Sequence, residues 1–160
     1  EDWHSVIQAN LDAVYLGCRA VLKPMMGNRF GRIINIASLS ALLAPRGQTN
    51  YAAAKAGVVA LTQSLSKEMA RAGITVNALC PGAIDTDMLQ ALAVRMAGSV
   101  EAGYEAMSQG VPMGRVAHAS EMADAVLYLS SDQASYVTGI AMLADGGMLA
   151  GAFGRGQKAD

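Results

Sequence analysis

Gly31-Arg32-Ile33-Ile34-Asn35-Ile36-Ala37-Ser38 is the stretch on which the fold turns. It is short and dense in branched apolar residues, and it lacks the strict alternation of a half-exposed strand, so it reads as a strand buried on both faces of a parallel sheet. Upstream, apolar residues at Val6, Ile7, Ala9, Leu11, Val14, Tyr15, Cys18, Val21 and Leu22 fall at helical spacing from Trp3 to about Met26, ending near Pro24 and Gly27-Asn28. Downstream, Ser38 to Asn50 holds Pro45 and Gly47 and reads as a loop. Tyr51 to about Ala72 is rich in helix formers and is stopped by Gly73. Ile74 to Leu79 repeats the buried-strand pattern and closes on Pro81-Gly82.

Residues 84–117 are rich in Met, Ala and Gly with a weak period, which predicts a mobile helical excursion or lid. A third helix opens at Ser120 and runs to Leu129, and Val137 to Leu143 offers a third strand before Asp145-Gly146-Gly147. Alternating helices and strands predict an α/β fold, a doubly wound parallel sheet with right-handed crossovers. The expected layout is one domain over residues 1–150 with a tail over 151–160. Such a sheet leaves its first strand with an unpaired edge, so an upstream half of the domain is expected that this sequence does not contain.

The chain has 160 residues, 52% hydrophobic and 16% charged, with a formal net charge of -1. That composition is globular, and without any Lys/Arg run it carries no electrostatic footprint for nucleic acid or anionic lipid. A small-molecule ligand is expected. The two cysteines, Cys18 and Cys80, lie too far apart for a C-x-x-C site, and are expected as buried thiols in a reducing compartment. His4 and His118 have no partners at metal spacing. No segment has the signature of a signal peptide or a bilayer span, so a cytoplasmic location is expected.

Tyr51 and Lys55 stand four apart in Tyr51-Ala52-Ala53-Ala54-Lys55, one turn along one helix face. Free tyrosine titrates near pH ~10, too high for proton exchange near neutrality, and a neighbouring ammonium favours the phenolate. At roughly 5 Å and an effective dielectric of about 20 the attraction is on the order of 3 kcal/mol, about two pK units. That magnitude suits general acid-base catalysis. Ser38 ends the first strand thirteen residues before Tyr51, at the end of a parallel sheet where ligands bind.

The Gly31–Ser38 stretch followed by Gly47-Gln48-Thr49-Asn50-Tyr51-Ala52-Ala53-Ala54-Lys55-Ala56-Gly57 resembles the active-site region of the classical short-chain dehydrogenases/reductases, and is similar to 3-oxoacyl-[acyl-carrier-protein] reductase-like members. Asn10, Ile74-Thr75-Val76-Asn77-Ala78-Leu79-Cys80-Pro81-Gly82, Thr86 and Tyr136-Val137-Thr138-Gly139 extend the likeness over nearly the whole chain. The resemblance implies an NAD(P)-binding Rossmann-like fold with its first strands and glycine-rich phosphate loop missing here. It implies Tyr51 as the acid-base residue and Lys55 as its pKa modulator and a donor to the nicotinamide ribose. Ser38 would polarise the substrate oxygen, and Asn10 would hold a water leading to Lys55. Pro81, Gly82, Ile84 and Thr86 would form the turn against the nicotinamide.

The implied cofactor is NAD or NADP, the substrate a small alcohol or ketone, and the assembly a homodimer or homotetramer. Read without the family, Asn10 satisfies a buried backbone carbonyl and Pro81-Gly82 merely ends a strand. Asp85 and Asp87 are candidate helix caps. Met88, Met96, Met107 and Met113 line either a substrate pocket or a core gap. The alternative to an enzyme is an inactive relative that uses its helix faces only for assembly.

Overall fold

Gly31–Ile36 forms β1, Ile74–Pro81 forms β2 and Ala141–Ala144 forms β3, paired in parallel in the order β1-β2-β3 in a computed structural model that describes residues 2–153. Gly31 sits opposite Ile74 and Ile36 opposite Leu79, while Ala78 faces Ala141 and Pro81 faces Ala144. Every position of β2 is buried, as its run of Ile, Val and Leu between two neighbours requires. Past the end of β1, Ala37 N donates to Leu79 O at 2.8 Å and Leu39 N to Pro81 O at 2.9 Å. Ser38 is thereby carried on an extension of β1 beside the end of β2.

Trp3–Ile7 (α1), a π-helical turn over Gln8–Asp12 and Ala13–Asn28 (α2) make one continuous helix. Ser40–Leu43 is a single turn, α3, inside the expected loop, and Thr49–Met69 is the long helix α4. From α2 and α4, Cys18, Leu22, Met25, Leu61 and Leu65 pack on Ile33, Ile74 and Val76 of the sheet. Farther along, Leu11, Val58 and Val59 gather with Ala37, Ala78 and Cys80. A methyl on Gly57 would lie 2.9 Å from Leu11 Cδ2, so the glycine is what lets the π turn approach α4.

Residues 84–117, expected as a helical excursion, contain two helices: α5, Asp87–Ala97, and α6, Val100–Ser108. Thr86 Oγ1 accepts from Leu89 N at 3.3 Å and Ser99 Oγ accepts from Ala102 N at 3.1 Å. These caps mark where the two helices start. Some apolar residues of α5 face water: Met88 is 78% exposed and Met96 64%.

Ala119–Ser130 forms α7, which lies against β1 and β2 on the side away from α2 and α4. The sheet steps in one direction from β1 to β2 to β3, yet α4 and α7 lie on opposite faces. The two crossovers therefore have opposite hands, and the uniform right-handed set expected from the sequence does not hold. Short βαβ units owe their hand to tight packing of one helix on twisted strands; here the β2 to β3 connection also carries α5 and α6, which loosens that constraint.

The third strand is shorter than Val137–Leu143. Over residues 137–140 side-chain bonds alternate with two backbone bonds to β2, Gly139 N to Val76 O at 2.8 Å and Ala78 N to Ile140 O at 2.9 Å: Asn77 Nδ2 donates to Val137 O at 2.8 Å, and Asn77 Oδ1 accepts from Ile140 N at 3.3 Å. Thr138 Oγ1 accepts from Val76 N at 3.0 Å. Gly139, with φ of 77°, breaks the extended backbone there. Met148–Phe153 is a short helix, α8, occupying the start of the expected tail; residues 154–160 lie outside the described residues. Both cysteines are buried free thiols. Among the described residues no helix is long and apolar enough to cross a membrane.

Candidate active site

Tyr51 and Lys55 occupy the first turns of α4, and the helix points these turns at the end of β1. Lys55 Nζ donates to the carbonyl oxygen of Ile36 at 3.0 Å and lies 5.6 Å from the centroid of the Tyr51 ring. Burial pushes the Lys55 ammonium below its ordinary value, since a half-buried cation is poorly hydrated. An ammonium has three donor hydrogens and Ile36 takes one. The others face a groove of about 480 Å³ along the free edge of β1, lined also by Val14, Cys18, Ile34 and Asn35.

Ser38 sits two residues beyond that carbonyl. Its Oγ accepts from Ser40 N at 3.1 Å, at the head of α3, which fixes the oxygen while leaving the hydroxyl proton to donate elsewhere. Behind it the Cys80 thiol is buried, and burial pushes its pKa up. The thiol is thus held neutral against the backbone of Ser38.

Asn10 lies within the π turn, and its Nδ2 donates to Val6 O at 3.1 Å. The plainer reading of this residue, satisfaction of a backbone carbonyl, therefore describes its amide nitrogen. The amide oxygen remains as an acceptor. Among the described residues no hydrogen bond joins Asn10 to Lys55; the π turn that carries Asn10 packs on α4 at Leu11 and Gly57.

Pro81 ends β2, and Gly82 N donates to Ala144 O at 3.0 Å. A methyl on Gly82 would stand 2.8 Å from Asp145 Cα. The close approach that needs glycine is thus to the loop after β3, where Asp145 accepts from Gly147 N and Leu149 N, each at 2.9 Å. Ile84 forms a parallel bridge with Ala117, held by Asp85 N to Ala117 O at 2.8 Å and Ala117 N to Ala83 O at 3.0 Å. Thr86 caps α5, so neither Asp85 nor Asp87 does. Met113, 66% exposed, borders a small cavity of about 190 Å³ shared with Ala83, Ala117 and Met122.

Two features escape sequence reasoning. Asn35, on the inner face of β1, accepts from Cys18 Sγ at 3.3 Å and donates to the fully buried Thr62 Oγ1 at 2.9 Å. It ties the helix of Asn10 to the helix of Tyr51 and Lys55; a lone amide in an aliphatic strand was the available signal. The second is Asp85 Oδ1, which accepts from Gln90 Nε2 at 2.8 Å and Tyr104 Oη at 2.7 Å. No spacing in the sequence announces that cluster.

Comparison with known proteins follows the same outline. A family profile described as Enoyl-(Acyl carrier protein) reductase matches residues 1–149. The chain is 45% identical over 148 residues to a 3-oxoacyl-[acyl-carrier-protein] reductase of Chlamydia muridarum, covering 92% of this chain and 57% of that protein. It is also 45% identical to the reductase of the same name from Escherichia coli strain K12, covering 58% of it. The crystal structure of levodione reductase superposes with a TM-score of 0.88 at 38% identity, over 92% of this chain and 58% of the other. The chain therefore spans a little under three-fifths of the length of the curated relatives it matches.

Proposed function

The chain belongs to the short-chain dehydrogenase/reductase family, and we propose that it carries the catalytic half of an NAD(P)-dependent oxidoreductase that interconverts a ketone and a secondary alcohol. The observation that carries the reading is the Lys55 ammonium, tethered to Ile36 O at 3.0 Å and set beside the Tyr51 ring one turn before it. By the names of its relatives, the ketone is that of a 3-oxoacyl thioester.

Tyr51 donates its phenolic proton to the ketone oxygen during reduction and takes it back during oxidation. Lys55 stabilises the phenolate so produced, by the electrostatics of a cation at this range in a partly desolvated groove. Ser38 donates to the same oxygen and orients it. Asn10 Oδ1 holds a water through which the Lys55 side of the site regains its proton. NAD or NADP, when bound, supplies or accepts the hydride. The residues present fit its nicotinamide end: a half-buried ammonium with donors to spare for ribose hydroxyls, and a turn over Pro81, Gly82, Ile84 and Thr86 whose backbone is held on both sides. The reading includes a cytoplasmic homodimer or homotetramer formed on the outer faces of α2 and α4, where Tyr15 is 51% and Leu16 56% exposed.

The test is Tyr51→Phe in the full-length protein, assayed by loss of NADPH absorbance with an acetoacetyl thioester. Turnover should fall by about 10²- to 10⁴-fold while NADPH fluorescence still reports binding. Undiminished turnover removes Tyr51 from the chemistry. A crotonyl thioester run in parallel distinguishes ketone reduction from the enoyl reduction in the family profile's description. The Ser38 and Tyr51 donors suit an oxygen, so the acetoacetyl substrate should be the one consumed.

A further inference from the structure

The α5–α6 pair is a rigid unit with a specific tether at its base. Thr86 and Ser99 cap the two helices, and Gly98 closes α5 in the left-handed conformation at φ 84°. A methyl on Gly103 of α6 would lie 2.4 Å from Ala93 Cβ of α5, so the two helices meet there with backbone nearly in contact. Ala93 is fully buried in this junction.

The next residue after Gly103 is Tyr104. Its hydroxyl leaves the helix pair and donates to Asp85 Oδ1 at 2.7 Å, and Gln90 Nε2 from α5 donates to the same oxygen at 2.8 Å. Asp85 is not part of either helix. It lies between Ile84 and Thr86, in the strip bridged to Ala117. One carboxylate oxygen thus collects a donor from each helix and ties both to the strip that leads out of β2.

We propose that Tyr104, with Asp85 and Gln90, is a positioning residue that latches the α5–α6 lid to the turn carrying Ile84 and Thr86, setting how that turn and lid meet substrate and cofactor. The proposal rests on the oxidoreductase reading for its effect on turnover, and on geometry alone for its effect on lid motion. A charged acceptor makes each bond stronger than a neutral pair. Tyr104 is held protonated, its pKa pushed up to about 12 by desolvation and by the Asp85 carboxylate. The carboxylate itself is held below its ordinary value, first by Gln90 and then by Tyr104, with His118 adding a weaker attraction. Donor and acceptor therefore keep their roles at any pH at which the enzyme would be assayed.

The experiment is Tyr104→Phe, Asp85→Ala and the double variant in the full-length protein, read in two ways. Amide hydrogen exchange over residues 87–108, without cofactor, should speed up about five- to tenfold in Tyr104→Phe, the scale of one lost hydrogen bond, and at least as much in Asp85→Ala, which loses both. Exchange in β1 and β2 should be unchanged, which guards against general unfolding. Steady-state kinetics should show KM for the keto substrate raised by a similar factor, with kcat changed less than about twofold, because the closed lid becomes less populated. The double variant should be no worse than Asp85→Ala, since that change already removes the contact that Tyr104→Phe removes. Asp85→Asn, which retains an acceptor oxygen, should recover part of the effect.

Lid exchange at the wild-type rate in Tyr104→Phe overturns the latch. So does an additive double variant. If wild-type protein neither binds NADPH nor turns over, the oxidoreductase reading fails, while the exchange data still decide the latch on their own.

Discussion

Lys55 Nζ and the carbonyl oxygen of Ile36 are joined at 3.0 Å, so the cation of α4 is fastened to the last residue of β1 and not only to the helix that bears it. Strand and helix together set its distance from Tyr51.

Lys55→Met removes that bond and the charge beside Tyr51 while keeping most of the side chain's length. In the full-length protein, kcat/KM should fall by about 10²-fold or more, with the fold's thermal midpoint little moved. Initial rates across pH carry a second check. Burial lowers the Lys55 pKa below its ordinary 10.5, so the alkaline loss of reductase rate that depends on this ammonium should set in below that value. The sign for stability is the reverse. Between the folded pKa and 10.5 the unfolded chain binds the proton more tightly, so raising pH through that window favours the folded state.

Asn35→Ala leaves the fully buried Thr62 hydroxyl without its partner. Urea unfolding should show a loss of about 1–3 kcal/mol. Adding Thr62→Val should restore part of it, because the second change removes the orphaned group. Equal losses that simply add would mean that the two side chains are not coupled.

Gly82→Ala forces a methyl to within 2.8 Å of Asp145 Cα, against backbone that cannot swing away as a side chain can. The expected cost is about 1–3 kcal/mol, as for overpacking elsewhere. NADPH affinity should weaken in the same variant, since the turn through Ile84 and Thr86 begins at this residue. Fluorescence titration and thermal unfolding on one sample measure both.

Arg115 donates to both carboxylate oxygens of Glu121 at 2.7 and 2.6 Å, and Glu121 Oε2 also accepts His118 N at 2.8 Å. The guanidinium hydrogen bonds, with the His118 backbone, pull the Glu121 pKa down from 4.5 to about 2. Stability from this pair is present above pH 4.5 and is lost as pH falls through about 2. Arg115→Leu should therefore flatten the acid limb between those values by lowering stability above pH 4.5, only modestly because the pair is solvent-exposed, while leaving stability below about pH 2 unchanged. An acid limb as steep as wild type would show that Arg115 does not hold Glu121 ionised.

The buried strands were legible because Ile33, Ile34 and Ile36, like Ile74, Val76 and Leu79, are local statements about burial that need no partner to be read. Tyr51 and Lys55 were legible because four residues along a helix fix a relation in space. Asp85 and Tyr104 were not, since nineteen residues separate them and their meeting depends on how α6 folds back on α5. The third strand was misjudged for a related reason. Val137 and Ile140 have strand-like side chains, but the buried Asn77 takes up their backbone groups. Crossover hand was misjudged because the rule describes compact units, and here α5 and α6 intervene.

The π turn at Gln8–Asp12 has an effect beyond its own residues. One surplus residue in a helix advances every later side chain by about 100° around the axis. Val6 before the turn and Cys18 after it are both buried, an alignment that an unbroken α-helix of this sequence would not produce. Winding the same residues as an unbroken α-helix would rotate the Cys18, Leu22 and Met25 row away from the sheet and carry Asn10 off its station, so the helix's phase, more than its length, is what this stretch encodes.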